Sequence, residues 1–371
     1  MIYLDYAANT PVDEKVLKVF VETTKKFIAN PNSSHDLGEL AKEQIDRASS
    51  KVASYFNCEK DNIIYTSGSS ESNNLVIKGV ALRNKDRGKH IIISAIEHSS
   101  VIAPCNFLSS LGYDISIIPL TSDGIIDLDI LKQTITEETI LVSVCTVDSE
   151  LGTIQPIEKI AKIVNNYPNC LFHTDATQAI GKITIDFSSV DFITFAPHKF
   201  YGLNGFGALI NMHDNKIIPL VHGGKSTTIY RSGTPVTASV VALATALELA
   251  IDNLDTRFNY VSKLNKILRE ALSKYSNVHI NSPINSIPNT LNISLIGISA
   301  KEVVNKLQEK GIYLSTTTAC SIGDLPSKAV LVITHDEALA TNTIRISISH
   351  LTSIDEINGF LKEFENILRV E

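Results

Sequence analysis

The sequence predicts an α/β protein: a three-layer domain on a mostly parallel, seven-stranded sheet, followed by a smaller α+β domain. Three observations predict it. The chain has 371 residues, more than the roughly 250 at which one hydrophobic core stops growing. Seven short β-rich runs recur through its first two thirds, most of them near-continuous apolar segments, as in strands covered on both faces. Stretches of helical spacing stand between several of these runs.

In order, the strands are read in "NIIYTSG", "HIIISAIE", "DISIIPL", "ILVSVCTV", "CLFHTDA", "DFITFAPH" and "FGALINM". Between them, "SSESNNLVIKGVALRN" and "PIEKIAKIVNNY" carry apolar residues at helical intervals. Residues 12–255 are therefore assigned to the large domain. "ASVVALATALELAIDNLDTRFNYVSKLNKILREALSKY" reads as one or two long helices leading out of it. Beyond lie strands in "NTLNISLIG", "GIYLSTT" and "TIRISIS", mixed with helices in "AKEVVNKLQEKG" and "SIDEINGFLKEFENIL". Residues 256–371, with 1–11, are assigned to the smaller domain.

Composition narrows the function. A net charge of −7 leaves no basic face for nucleic acid. The longest apolar stretch, "ASVVALATALELAI", falls short of the roughly 20 residues that span a bilayer, so no membrane partner is expected. The opening "MIYLDYAANTPVDEK" carries acid where a secretory leader has base. Cys58, Cys105, Cys145, Cys170 and Cys320 are odd in number and lack C-x-x-C spacing. That argues against a disulfide framework or a metal centre and for a reducing, cytoplasmic setting. Cys145 and Cys170 lie on apolar runs and read as core residues.

In open α/β sheets ligands bind where strands end. The first run ends in "TSGSSESNN", small hydroxyl residues and a glycine opening a helix, which is either an anion cup or an ordinary N-cap. The second ends at His98, a residue type found in polar cores as well as in catalysis. The fifth ends at Asp175, with Gln178 one helical turn on; the aspartate could equally cap the next helix. The sixth ends in His198 and Lys199, and a buried ammonium costs several kcal/mol unless it is paired or neutral. Together, an anion cup, an imidazole, a carboxylate and a lysine fit pyridoxal phosphate. The lysine amine would bond the cofactor covalently, the carboxylate would hold a proton on the pyridine nitrogen, and the helix N-terminus would take the phosphate.

The ordered motifs "YLDYAANTPV", "NPNSSH", "TSGSSESNN", "EHSSV", "ELGTIQP", "HTDATQAIGK", "PHKFYG", "RSGTP", "TTACS" and "TIRISIS" extend this reading. From residue 3 to about 350 the chain resembles the NifS/IscS-like cysteine desulfurases, pyridoxal-phosphate enzymes of aminotransferase class V. The resemblance implies fold type I of these enzymes and a homodimer that turns L-cysteine into L-alanine. It implies that Lys199 carries the cofactor, Asp175 pairs with its ring nitrogen, His98 stacks on the ring and Gln178 bonds its phenolic oxygen. Ser69, Ser70 and His198 would hold the phosphate, joined by Thr234 from the second subunit. Arg345 would clamp the substrate carboxylate. Cys320, in a run of small polar residues that reads as a mobile loop, would take the sulfur as a persulfide for a sulfur-acceptor protein serving iron–sulfur assembly or thiolation. A free thiol near pKa ~8.5 is only slightly ionised at neutral pH, so a nearby imidazole such as His98 would assist.

The chain departs from the family at two cofactor positions. Ser149 stands where the family carries asparagine against the phenolic oxygen, and Ala196 replaces a serine expected on the phosphate. Two other readings follow from these departures: a cysteine or selenocysteine lyase or aminotransferase with Cys320 incidental, and a degenerate cofactor-binding sulfur carrier.

Overall fold

The seven apolar runs form one sheet in the computed structural model, which describes residues 1–316 and 326–369. In chain order come β1 (Ile2–Tyr3), α1 (Glu14–Lys26), α2 (Asp36–Phe56), β2 (Ile63–Thr66), α3 (Ser69–Asn84), β3 (His90–Ser94) and α4 (Ser99–Ser109). Next are β4 (Asp114–Ile118), α5 (Leu128–Thr134), β5 (Thr139–Ser143), α6 (Ile157–Val164), β6 (Leu171–Asp175), β7 (Phe192–Phe195) and β8 (Gly207–Asn211). They lead into α7 (Thr237–Asp252), α8 (Leu254–Leu272), β9 (Val278–Ile280), β10 (Thr290–Leu295), α9 (Ala300–Glu309) and β11 (Ile312–Tyr313). The remainder is α10 (Lys328–Thr334), α11 (Glu337–Thr341), β12 (Thr343–Ser347) and α12 (Ile354–Leu368).

The large sheet has the order β2-β8-β7-β6-β5-β3-β4, with β8 antiparallel to both its neighbours and the other pairings parallel. Parallel strands need crossovers, and the crossover helices cover both faces, which is why these runs are apolar throughout. Residues of β3 show the division: Ile92 joins the core with Val52 and Phe56 of α2 and Leu243 of α7. Its neighbours Ile91 and Ile93 join the core with Leu75 and Val80 of α3 and Val101 of α4. β4 is the exception to burial on both faces. It is one of the two sheet edges, β3 is its one neighbour among the described strands, and Ile117 is 60% exposed.

A second core gathers Leu264 and Leu268 of α8, Val303 and Leu307 of α9 and Phe360 and Phe364 of α12 over β10 and β12. There β10 pairs antiparallel with β12 and β9. Helix α12 starts at a capping box, Ser353 and Glu356 satisfying each other's backbone N–H. The long apolar stretch is two helices, α7 and α8, bent by 64°. Among the described residues no single helix is long and apolar enough to cross a membrane. Sequence reading named none of α1, α2, α4, α5, β9, α10 and α11, and it missed the partner of the first residues. Ile2 and Tyr3 pair with Ile312 and Tyr313, and Asp5 bridges to Ser347. This pairing lays residues 4–8 across the ends of the large-sheet strands.

Candidate active site

A cavity of about 300 Å³ opens where β2, β3, β5, β6 and β7 end. Ser69, Ser70, His98, Ser149, Asp175, Gln178, His198, Lys199 and Arg345 all stand on its wall, together with Ala7 and Ala8 from the N-terminal segment. Eleven positions from seven separate stretches of sequence thus meet in one place. Thr234 does not reach that wall; it is exposed and lines a neighbouring cavity with Ser67 and Arg231. Cys320 lies outside the described residues.

Lys199 closes a single helical turn, Pro197–Lys199, directly after β7. Gly202 allows the turn to fold back, because a Cβ there would lie 2.3 Å from Pro197 Cβ. Tyr201, at φ 70°, is held in the left-handed region, its N–H donating to Thr10 Oγ1 at 2.8 Å. The Lys199 ammonium donates to the Ala7 carbonyl at 2.8 Å and the Ala8 carbonyl at 2.6 Å. The charge at the strand end is therefore met by backbone dipoles of the N-terminal segment. His198 beside it is pushed down to about 4, by burial first and then by the Lys199 and Lys182 charges.

Asp175 and His98 share a network that sequence reading did not find. The Asn73 side-chain amide donates to Asp175 Oδ2 at 2.7 Å and to Ser100 Oγ at 2.9 Å. Ser100 Oγ lies 2.8 Å from His98 Nδ1, which also accepts from the Ser100 N–H at 3.2 Å. An Nδ1 that accepts places the imidazole proton on Nε2. Burial lowers the His98 pKa, Lys199 lowers it further, and Asp175 opposes both. Asp175 Oδ1 accepts from the Thr177 N–H at 3.0 Å, so the aspartate does cap its turn while its carboxylate faces the cavity.

Gln178 is fixed from both ends of its amide. Its Nε2 donates to the Ala7 carbonyl at 2.9 Å, and its Oε1 accepts from the Lys182 ammonium at 2.5 Å. Lys182, also missed, is pushed down to about 7 by burial and by the charges of Lys199 and Arg345. Arg345, only 2% exposed, gives one N–H to the Ser149 carbonyl at 3.1 Å and one to Asp5 Oδ1 at 3.0 Å. Its Nε is buried without a partner. Nearby Asp148 is pushed up to about 7, chiefly by burial and then by Glu150. The sequence signal for Asp5, Ala7 and Ala8 was the motif "YLDYAANTPV", and for Lys182 "HTDATQAIGK"; neither spacing shows which atoms point inward.

The N-terminus of α3 forms the opposite wall. Gly68 is its N-cap, no side chain caps it, and Ser69 and Ser70 open the helix. Gly207 of β8 must be glycine, since a Cβ there would lie 2.6 Å from Gly68 Cα. Glu71 braces the turn, accepting from the Ser67 N–H at 2.7 Å and from Arg231 Nε at 2.9 Å. Cys170 is a core residue, as the sequence predicts; Cys145 is buried too but also stands on the cavity wall. Its thiol lies well above the usual range, through burial and then the neighbouring Glu97.

Behind the wall, Glu97 accepts from Ser94 Oγ and, at 2.7 Å, from the Cys145 N–H, with Oε2 unpartnered. Burial raises its pKa from 4.5 to about 8. Both folded and unfolded chains hold this proton below pH 4.5, so the carboxyl costs nothing there. As pH climbs towards 8 only the folded chain keeps it, and stability falls by up to about 1.4 kcal/mol per pH unit. Glu97→Gln, a neutral isostere, is therefore expected to gain stability relative to the native chain as pH rises from 5 to 8. Thermal melts across that range test this; a constant difference would contradict it.

A three-layer sheet protein with a lysine, a carboxylate and an uncapped helix N-terminus around one cavity is the class that fold and site define. The chain belongs to the aminotransferase class-V family, which it matches over residues 2–360. It is 37% identical over 372 residues to the cysteine desulfurase IscS of Dictyoglomus turgidum, covering 99% of this chain and 94% of that one. Among solved structures, a NifS-like protein superposes with a TM-score of 0.94 at 33% identity over the full length of both chains. SspA in complex with cysteine superposes with a TM-score of 0.84 at 32% identity, covering 95% of this chain and 100% of that one.

Proposed function

We propose that the protein is a pyridoxal-phosphate-dependent cysteine desulfurase that converts L-cysteine to L-alanine and takes the sulfur onto Cys320. One observation carries the reading: Lys199, Asp175, His98 and Arg345 stand on a single cavity beside an uncapped helix N-terminus. The donor set fits the cofactor. The first N–H groups of α3 with the Ser69 and Ser70 hydroxyls suit a phosphate, and Asp175, fixed by Asn73 and Thr177, suits a pyridinium. When bound, pyridoxal phosphate supplies an aldehyde for amines and an electron sink for bonds at the amino acid's α- and β-carbons.

The chain's own residues divide the remaining work. Asp175 would keep a proton on the nitrogen of a bound ring, and His98 would cover its face. Gln178, turned by Lys182, would offer an amide N–H to the phenolic oxygen, and Ser149, on the same wall, would offer a hydroxyl. Arg345 orients the substrate carboxylate. Lys199 Nζ carries the proton between substrate carbons. The Cys320 thiolate attacks the substrate sulfur; the C–S electron pair stays with carbon, which gains a proton to become the methyl of alanine. Cys320 is left as a persulfide, to be delivered to a sulfur-acceptor protein in iron–sulfur assembly or thiolation.

In this reading residues 12–255 form the cofactor domain, and 1–11 with 256–371 the smaller one; the separate core around β10 and β12 supports that division. Thr234 would meet a phosphate across a homodimer interface, and the exposed apolar residues Ile229 and Val236 beside it support such a contact. The protein would act in the cytoplasm. With L-cysteine and dithiothreitol, the loaded protein is expected to release sulfide and alanine in equal amounts. Pyruvate and ammonia would instead mark lyase chemistry, and a chain that stays colourless with pyridoxal phosphate would refute the cofactor assignment.

A further inference from the structure

Arg345 is not waiting with its charge uncompensated. The guanidinium has five N–H donors; one goes to the Ser149 carbonyl and one to Asp5 Oδ1, which leaves three. Asp5 sits behind Arg345, off the cavity wall, on the N-terminal segment whose Ala7 and Ala8 carbonyls hold Lys199. That segment is itself tied down: the Ser347 N–H donates to the Leu4 carbonyl at 2.8 Å, and the Ala7 N–H donates to Ser347 Oγ at 3.0 Å. Asp5 is thus a fixed counter-ion rather than a mobile one.

We propose that Asp5 is a specificity-determining residue that weakens the hold of Arg345 on carboxylates, so that a carboxylate alone does not occupy the cavity and a ligand must also bring an amine. This rests on Arg345 being the substrate-carboxylate clamp. Two opposing effects of Asp5 have to be weighed. It orients the guanidinium, but Arg345 is 2% exposed and also held by Ser149, so packing already fixes its plane. It also sets a negative charge 3.0 Å from the guanidinium and so offsets part of the positive charge that an incoming carboxylate would meet there. The charge effect is the larger. The penalty falls on every carboxylate, and a simple acid, which brings no amine to add a second hold, is the one left too weak to occupy the cavity.

Asp5→Asn separates the two effects, because the amide oxygen still accepts from Arg345 while the charge is gone. Two probes dissect the substrate: 3-mercaptopropionate carries thiol and carboxylate without the amine, and cysteamine carries thiol and amine without the carboxylate. Calorimetric titration of the full-length, cofactor-loaded protein is expected to show 3-mercaptopropionate binding about tenfold tighter in Asp5→Asn than in the native chain. Cysteamine affinity stays within about twofold, and Asp5→Glu, which restores the charge, returns 3-mercaptopropionate to the native value. Unchanged or weaker 3-mercaptopropionate binding in Asp5→Asn overturns the proposal. Arg345→Met distinguishes the underlying reading. If that variant binds 3-mercaptopropionate as the native chain does, Arg345 is not the clamp, whatever Asp5 does.

Discussion

Lys199→Ala is expected to abolish alanine formation from L-cysteine, by a factor on the order of 10⁴ or more. The magnitude follows from what the position combines. It is the amine that would hold the cofactor covalently, and it would be the base nearest the substrate carbons. Its Nζ is placed by the Ala7 and Ala8 carbonyls at 2.8 and 2.6 Å, and no neighbouring group takes over. Lys182 faces Gln178 Oε1 and stands on the far side of Lys199 from the main cavity. Lys199→Arg retains a cation for the two carbonyls but no nucleophilic amine. It should fold normally, fail equally in turnover, and lose the cofactor on desalting after denaturation and borohydride treatment, whereas the native chain keeps it. An arginine variant with substantial turnover would remove the central role given to Lys199.

Cys320→Ala is the second large effect. Alanine and sulfide production should fall by about 10³-fold or more, while L-cysteine still perturbs the absorbance of the bound cofactor, because in the proposed reading binding falls to Arg345 and the cavity. The native protein treated with L-cysteine should gain about 32 Da at Cys320, one sulfur atom. The informative control is Cys145→Ala. Cys145 is the cysteine on the described cavity wall, yet burial and Glu97 hold its thiol protonated. A protonated thiol is a poor nucleophile, so Cys145→Ala should retain the adduct. An adduct on Cys145 would reverse the assignment and make Cys320 incidental.

The departure at Ser149 also finds a place. Ser149 stands on the cavity wall, and it is its main-chain carbonyl that steadies Arg345, a contact any residue at that position could make. Next to it Asp148, pushed up to about 7, is buried and caps the Glu150 and Leu151 N–H groups. The turn that bears Ser149 is therefore held by the Asp148 carboxyl.

Much of the cavity was legible because its residues fall at strand ends, and strand ends are marked by apolar runs stopping at polar residues. His98, Asp175 and His198–Lys199 were found in that way, and the three-layer fold with them. The Asn73–Ser100 link was not, since asparagine and serine inside helical patterns read as surface or capping residues. Their side chains meet only because α3 and α4 pack against each other across the end of β3. Asp5 escaped for a similar reason. An acid near the start of a chain carries no periodic signal, and its partner lies 340 residues away.

The sequence by itself determined the sheet, the order of its strands along the chain and the chemical types gathered at their ends, because burial on both faces and turn chemistry are local properties of the chain. Tertiary structure alone decided which of those groups share hydrogen bonds, that the N-terminal segment lies over Lys199 and Arg345, and that β4 is an exposed edge. Those outcomes depend on contacts between segments distant in sequence, where one strand pairing, β1 with β11, decides which atoms face the cavity.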